Sequence, residues 1–169
     1  MAYINYSDLA KLREKFKDKK IIFTSGSFDL VHAGHVRYLE ACEALGDVLI
    51  VGIGKDIDIK KHKGEKRPIL NEHVRIKMID SLKAVDYVFF LKSPLPNAHL
   101  FSPLIEIYKT LKPDAYVLNY DAKGLKTHEA QCKECGINFV ILNLNRDEPP
   151  EFESISTTGI IEKIKKLSS

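Results

Sequence analysis

The six residues from Val48 to Ile53 constrain the fold most, because they form an uninterrupted apolar run. A strand with one face in water alternates apolar and polar residues, whereas a continuous apolar run is typical of a parallel strand that is covered on both faces. The run is too short for a helix that crosses a bilayer, which needs about 20 apolar residues. It therefore predicts an interior strand of a parallel sheet.

Four further runs predict strands, and segments with helical periodicity separate them. The five predicted strands lie at about residues 20–25, 48–53, 87–91, 115–118 and 138–142. Helices are expected at about residues 34–45, 71–83, 101–111, 127–135 and 157–167. This alternation predicts an α/β fold that is Rossmann-like and doubly wound, with a mostly parallel five-stranded sheet and helices on both faces.

Several local expectations follow from the same patterns. Residues 54–68 are lysine-rich and lack an apolar period, so they are expected to form a mobile loop. Gly46 is expected to end the helix at about residues 34–45 by adopting the left-handed conformation. Val74 on one helix should face the core, as should the isoleucines of the last helix. These isoleucines are Ile160, Ile161 and Ile164.

The 169 residues suit one domain, with about residues 1–19 as an N-terminal helical addition. The net charge of +3 gives no reason to expect a nucleic-acid partner, and no apolar run suggests a membrane partner. Three cysteines, without a signal peptide, suit a reducing compartment and predict a cytoplasmic protein. Tyr3, Ile4 and Tyr6 are candidates for a surface that meets a partner chain.

Candidate functional residues concentrate in residues 26–35, directly after the first predicted strand. Ligands of parallel α/β sheets bind beyond the carboxyl ends of the strands, where this segment must lie. Gly26 follows the strand, and a helix begins near Gly34, so free backbone N–H groups can meet an anion there. His32 and His35 would point two imidazoles into the same space. The segment therefore predicts a phosphate site.

The sequence Gly-Ser-Phe-Asp-Leu-Val-His-Ala-Gly-His of this segment resembles the signature of the cytidylyltransferase-like nucleotidyltransferases. Ordered pieces further along extend the resemblance over about residues 20–166. They are Lys63-Gly64, Arg67-Pro68-Ile69, Arg75, Val85-Asp86, Lys112-Pro113-Asp114, Asp121 and Ile155-Ser156-Thr157-Thr158-Gly159. Within the superfamily, the chain is most similar to the adenylyltransferase domain of ADP-heptose synthases and next to glycerol-3-phosphate cytidylyltransferase.

The resemblance implies that a phosphorylated metabolite attacks the α-phosphorus of a nucleoside triphosphate and expels pyrophosphate. Magnesium would be the cofactor, held through the phosphates and not by side chains, and a homodimer is expected. His32, His35, Lys63 and Arg75 would be the catalytic residues. The nucleotide-binding residues would be Ser25, Gly26, Ser27, Phe28, Gly34, Asp121, Ser156, Thr157 and Thr158.

Some of these residues have simpler interpretations. Ser156 and Thr157 can cap the last helix as well as hold an anion. Lys61 or Lys66 can take the role of Lys63, since the spacing is loose. Arg75 can also be an ordinary surface charge of its helix. Asp29 is expected to accept hydrogen bonds from backbone N–H groups, because a triphosphate would repel its carboxylate.

Two departures leave the substrates open. The cytidylyltransferases carry an Arg-Thr pair before the Ile-Ser-Thr-Thr segment, but residues 151–154 here are Glu-Phe-Glu-Ser. The heptose-type enzymes have Lys-Gly-Gly-Asp-Tyr after the fourth strand, where residues 118–122 are Leu-Asn-Tyr-Asp-Ala. We expect AMP transfer from ATP to a sugar phosphate such as a heptose 1-phosphate. The alternatives are CTP-dependent transfer to glycerol 3-phosphate or another acceptor such as flavin mononucleotide, and a non-catalytic nucleotide- or metal-binding module.

Overall fold

A computed structural model describes residues 2–96, 98–145 and 156–167. Its core is one parallel sheet of six strands in the order β1-β4-β3-β2-β5-β6. The strands are β1 (Ala2–Tyr3), β2 (Ile21–Gly26), β3 (Val48–Ile53), β4 (Tyr87–Phe90), β5 (Ala115–Asn119) and β6 (Asn138–Leu142). The five predicted strands and the Rossmann-like α/β fold are confirmed, and the two-residue β1 extends the sheet beside β4.

Helices cover both faces of the sheet, as the fully buried β3 requires. They are α1 (Leu9–Lys15), α2 (Ala33–Glu43), α3 (Asp56–Lys63), α4 (Glu72–Asp80), α5 (Ser102–Leu111), α6 (Leu125–Cys135) and α7 (Thr157–Leu167). One hydrophobic cluster joins α1, α5 and α6 to the sheet, and a second joins α2 and α4 to it. The two clusters place these two groups of helices on opposite faces.

The N-terminal segment completes one edge of the sheet. Ile4 donates its backbone N–H to the Val88 carbonyl at 3.0 Å. The Tyr6 ring packs edge-on against Phe89 at 5.9 Å. Ile4 and Tyr6 thus contribute to the core of their own chain, in contrast to the partner surface expected of them. Only Tyr3 of the three is about half exposed.

Residues 56–63 form helix α3, so the prediction of a loop over residues 54–68 was wrong for this part. The helix has no apolar period because Asp58 and Ile59 are its only buried residues. Acidic residues occupy its first turn and basic residues its last turn, an arrangement that complements the helix dipole. The Asp56 carboxylate accepts a hydrogen bond from the backbone N–H of Glu72, and the Glu72 carboxylate accepts one from the backbone N–H of Asp56. These two bonds join the N-termini of α3 and α4.

Three smaller expectations were also wrong. Val74 is exposed on α4, and α7 has no buried residue, with Ile164 more than half exposed. Gly46 does not have a positive φ. Its lack of a side chain matters because a Cβ would lie 2.6 Å from Cγ1 of Ile22. Within the described residues, none of the helices has the length and apolar character that crossing a membrane requires.

Candidate active site

A cavity of about 1130 Å³ opens above the carboxyl ends of β2, β3, β4 and β5. Residues from the 26–35 turn, α3, the segment before α5, the first half of α6 and the start of α7 line it. Its volume exceeds the roughly 300–1,000 Å³ that is typical of a pocket for one small ligand. The cavity therefore has room for two small substrates side by side.

The 26–35 turn is shaped by close packing and by two residues in the left-handed region. Phe28 and Leu30 have φ values of 45° and 46°. Gly26 is an ordinary strand end, and its small size lets the Phe28 ring lie against the backbone, since a Cβ would be 2.9 Å from Cε2 of that ring. Positive φ at bulky residues is uncommon and persists where surrounding contacts hold it. The turn is thus held in a defined shape beside the cavity.

The two motif histidines lie side by side at the start of α2. Their ring centroids are 4.0 Å apart, and both rings line the cavity together with Gly34. The Phe28 ring supports His35 edge-on at 5.5 Å. His32 is the N-cap residue, and its carbonyl accepts the His35 N–H at 2.9 Å. The structure therefore places two imidazoles and a helix N-terminus at one wall of the cavity.

Asp29 is a structural anchor of the turn. Its buried carboxylate accepts hydrogen bonds from the N–H groups of Ile69 and Leu70 and a paired contact from the Arg67 guanidinium, whose Nη2 lies 2.8 Å away. Backbone partners were expected for Asp29, and the structure shows them. Arg67 lines the cavity, and sequence reasoning did not single it out as a site residue.

All three candidate lysines are exposed residues, but Lys63 is the one that lines the cavity. It is the last residue of α3, and its Nζ donates to the Ser27 hydroxyl at 2.9 Å. Burial of the ammonium group at the cavity lowers the pKa of Lys63, and the nearby Arg67 guanidinium lowers it further. An anion bound there would raise this pKa again.

Loss of the Lys63 charge should weaken nucleotide binding at alkaline pH. Because the pKa of Lys63 lies below its usual value, the free protein loses this charge earlier than an exposed lysine would. A phosphate favours the charged form, so the Kd for ATP should rise as the pH rises from about 7 to about 10. The measurement is calorimetric titration of ATP over this range.

Lys63→Arg and Lys66→Met are the matched variants. Arginine stays charged over the whole range, so Lys63→Arg should show a flatter pH dependence. Lys66→Met should behave as the wild type, since Lys66 is exposed outside the cavity. A Lys63→Arg profile identical to the wild-type profile would exclude Lys63 as the source of the pH dependence.

Arg75 differs most from expectation, because it does not line the cavity. The side chain is fully buried beneath the turn. It donates to the carbonyls of Leu70, Ser27 and Gly54 and pairs with Asp56 at 2.8 Å. These bonds tie α3, α4 and the turn together, so Arg75 is not the surface charge that the simpler interpretation made it. Its contact with a phosphate stays a prediction.

The start of α7 also lines the cavity and contacts the 26–35 turn. Ser156, Thr157 and Thr158 all line it. The Ser156 hydroxyl accepts the Gly159 N–H at 3.1 Å, and the Thr157 hydroxyl donates to the Asp29 carbonyl at 2.8 Å. Ser156 therefore caps α7, and Thr157 joins this helix to the turn. Residues 151–155, which include the Glu-Phe-Glu-Ser departure, lie outside the described residues.

Asp121 lies at the rim of the cavity just after β5. Asn119 donates to its carboxylate at 3.0 Å. The same amide accepts the Leu144 N–H at 3.0 Å, which joins the end of β5 to the segment after β6. Asn119 thus fixes the rim at the position where the heptose-type pattern has glycine.

A set of aromatic residues on the remaining side was missed by sequence reasoning. Phe101 and His128 are in contact, with ring centroids 4.1 Å apart, and Tyr116 lies 5.5 Å from His128. All three line the cavity. The Ser25 hydroxyl is within hydrogen-bond distance of the Tyr116 hydroxyl at 2.8 Å, which directs Ser25 toward this side. These residues are far apart in sequence, so no local motif marks them.

His128 should make stability fall in mildly acidic solution. Burial lowers its pKa from 6.5 to about 4, and the nearby His99 adds to the effect. Between these pH values the unfolded chain binds a proton that the folded chain does not, so stability decreases as the pH falls. The free energy of unfolding should be about 2 kcal/mol lower at pH 5 than at pH 7. Urea denaturation at both pH values measures it.

The variant His128→Phe removes this titration and keeps a ring in the same place. Its loss of stability between the two pH values should be smaller than that of the wild type by about the same 2 kcal/mol. Equal losses in both proteins would show that His128 is not the group responsible.

The carboxylates of the described cavity bear on how magnesium could be held. Among the described residues there is no cluster of three or more His, Cys, Asp or Glu side chains that could hold a metal. Asp29 is engaged by Arg67 and two N–H groups. Mg²⁺ commonly keeps several waters and binds through substrate phosphates. Magnesium held through the phosphates of a bound nucleotide stays a prediction.

Comparison with known families gives one match that covers most of the chain. A family model described as cytidylyltransferase-like matches residues 23–163. The match includes the 26–35 turn, α3 and the start of α7.

Two curated relatives and two solved structures show how far the similarity extends. The bifunctional protein HldE of Helicobacter pylori (strain P12) is 39% identical over 94% of this chain, and that of Campylobacter jejuni (strain RM1221) is 40% identical over 89%. The chain spans only about 30% of the length of these relatives. A lipopolysaccharide core biosynthesis protein from Thermoplasma volcanium matches with a TM-score of 0.60 at 27% identity, covering 75% of this chain and 98% of that one.

The second solved structure shows the fold alone. A pantoate-beta-alanine ligase from Francisella tularensis matches with a TM-score of 0.66 at 19% identity, covering 95% of this chain and 73% of that one.

Proposed function

Because the chain belongs to the cytidylyltransferase-like family and is a nucleotidyltransferase, we propose that it transfers AMP from ATP to a sugar phosphate such as a heptose 1-phosphate. The observation that carries this proposal is the convergence of His32, His35 and Lys63 on one cavity at the carboxyl ends of the strands. These are groups that neutralise phosphate charge, and the cavity has space for a second substrate beside them.

In the proposed reaction, a phosphate oxygen of the acceptor attacks the α-phosphorus of ATP. A new P–O bond forms, the bond from the α-phosphorus to the oxygen that bridges it to the β-phosphorus breaks, and pyrophosphate leaves with the electron pair. The product is a nucleoside diphosphate sugar. Negative charge develops on the leaving oxygens, so the protein contributes positioning and charge stabilisation without a covalent intermediate.

The residues on the turn side of the cavity suit these tasks. The imidazoles of His32 and His35 can donate ring N–H groups to phosphate oxygens, and Lys63 can add a positive charge. The N-termini of α2 and α7 also lie at the cavity, and a helix N-terminus favours a bound anion. Magnesium would neutralise the triphosphate further when it is bound.

The identity of the substrates rests on sequence. The resemblance to the adenylyltransferase domain of ADP-heptose synthases supports ATP and a sugar phosphate, and the missing arginine in residues 151–154 argues against the cytidylyltransferases. The two curated relatives, each a bifunctional protein HldE, match this chain over 94% and 89% of its length. CTP with glycerol 3-phosphate is the alternative that the test must distinguish.

We further propose that the protein is cytoplasmic, since its cysteines Cys42, Cys132 and Cys135 are all free. The homodimer that the resemblance implies remains a prediction, which light scattering tests.

The test measures pyrophosphate release with each of ATP, CTP, GTP and UTP, combined with a heptose 1-phosphate, other sugar 1-phosphates, glycerol 3-phosphate or flavin mononucleotide. We expect release with ATP and a sugar 1-phosphate. Release with CTP and glycerol 3-phosphate would replace the proposed substrates with the alternative ones. No release from any pair, together with normal ATP binding, would favour a non-catalytic nucleotide-binding module.

A further inference from the structure

The cavity has two sides with different chemistry, and they lie over opposite faces of the sheet. The turn side consists of the 26–35 turn with Lys63 and Arg67. The α5–α6 side consists of Ser25, Phe101, Leu104, Tyr116, Leu118 and His128. Leu104, Tyr116 and Leu118 belong to the hydrophobic cluster of α1, α5 and α6, whereas Phe28 of the turn belongs to that of α2 and α4.

Phe101 is held firmly on the α5–α6 side. Its ring packs on the His128 ring, and its Cε2 is so close to Gly124 that a Cβ there would be 2.4 Å away. Its backbone N–H donates to Nδ1 of His99, and its carbonyl accepts from Gln131. An aromatic face that is fixed in this way costs little entropy when a ligand binds to it.

The α5–α6 side is itself uncharged. Its polar groups are the hydroxyls of Ser25 and Tyr116 and the imidazole of His128, which burial keeps neutral near pH 7. Two lysines lie near this side. Lys92 pairs with Glu106 at 2.6 Å, and Lys123 is exposed at the rim.

The remaining charge near this side is Asp58 of α3. Its carboxylate is mostly buried and accepts the Ser93 hydroxyl at 2.6 Å. It would repel an anion rather than bind it. Among the described residues, a second phosphate or carboxylate on the α5–α6 side would therefore meet only Lys123, which is exposed at the rim, where solvent screens its charge.

We propose that the α5–α6 side binds the uncharged, hydroxyl-bearing body of the acceptor, with one face of its ring stacked on Phe101 and its phosphate directed toward His32 and His35. This inference rests on the proposed function. Apolar C–H faces of a sugar ring pack on aromatic rings, and the Ser25 hydroxyl, which the buried Tyr116 hydroxyl holds in place, can exchange a hydrogen bond with one of its hydroxyl groups. The acceptor class is thus a monophosphate whose remainder carries no charge.

The variant Phe101→Ala tests this assignment. With ATP and a heptose 1-phosphate, the KM for the heptose 1-phosphate should rise about tenfold, because a fixed aromatic surface is lost. The Kd for ATP, measured by calorimetry without acceptor, should stay within about twofold. Leu95→Ala is the control, since Leu95 belongs to the same segment but is exposed outside the cavity. Phe101→Leu, which keeps the apolar bulk, replaces Phe101→Ala if the latter does not fold.

The outcomes separate the inference from the proposed function. An unchanged KM for the heptose 1-phosphate, or an equal weakening of ATP binding, would overturn the assignment while turnover by the wild type persists. If the wild type releases no pyrophosphate, the proposed function fails. The assignment is then decided by calorimetric titration of the heptose 1-phosphate into protein saturated with a non-hydrolysable ATP analogue. Binding that Phe101→Ala loses supports it, and no binding by the wild type rejects it.

A further comparison tests the charge argument. A sugar bisphosphate, which places a second phosphate on the body, should be a poorer acceptor than the matching 1-phosphate by at least about tenfold in kcat/KM. Equal kcat/KM values would overturn the conclusion that this side selects an uncharged body.

Discussion

Replacement of His35 by alanine is expected to lower kcat by at least about 100-fold, the scale of losing one preorganised charge-stabilising donor. His35 lies at the start of α2, its ring is 4.0 Å from that of His32, and the Phe28 ring supports it from the side. The imidazole is therefore already in place before charge develops on the phosphates. Steady-state pyrophosphate release with saturating ATP and sugar phosphate measures the effect.

His73→Ala is the matched control for this substitution. His73 lies on α4, and its ring contacts Phe90 outside the cavity. Its loss should leave kcat within about twofold of the wild type. A His35→Ala protein with a near-wild-type kcat would remove His35 from the mechanism and leave charge stabilisation to Lys63 and His32.

Replacement of Arg75 by methionine should reduce both stability and activity. The substitution leaves three carbonyls and the Asp56 carboxylate without their donor. Buried acceptors that lose a charged partner are costly, so the free energy of unfolding should fall by about 3 kcal/mol. The turn would also lose its support at the Ser27 carbonyl, so kcat should fall. Urea denaturation and steady-state kinetics measure the two effects.

Lys77→Met on the same helix is the control, because Lys77 is exposed and forms only a weak 4.0 Å contact with Asp80. Its effect on stability should stay within about 0.5 kcal/mol. If Arg75→Met lost activity with unchanged stability, the guanidinium would be acting on the substrate directly, as the sequence pattern had suggested, and the buried network would be of little importance.

The strands were predictable because burial on both faces leaves a continuous apolar run, as in Val48–Ile53. Helix α3 was not predictable by the same rule. This helix is held by contacts of its first residue, because Asp56 bonds to Glu72 and Arg75. It has no stripe of apolar residues that would reveal it in the sequence. For α7, the apolar period predicted that its isoleucines are buried, but no residue of this helix is buried by the described part of the chain.

The candidate site was predictable where its residues are neighbours in sequence. His32 and His35 share one turn, and the start of α7 carries three hydroxyl residues in a row. The buried network of Arg75 was not predictable, because sequence shows a guanidinium but not which carbonyls surround it. Phe101, Tyr116 and His128 come together only through the packing of α5, β5 and α6, so no spacing rule finds them.

The central claim is that this cavity transfers a nucleotidyl group to an acceptor phosphate. Phosphorus NMR of ATP mixed with magnesium, a heptose 1-phosphate and the protein tests it in one measurement. We predict that the resonances of ATP and the sugar phosphate disappear, and that those of pyrophosphate and of a new P–O–P diester, the nucleoside diphosphate sugar, appear in equal amounts. Formation of ADP with a second phosphate on the sugar would contradict the claim, because the attack would then be at the γ-phosphorus.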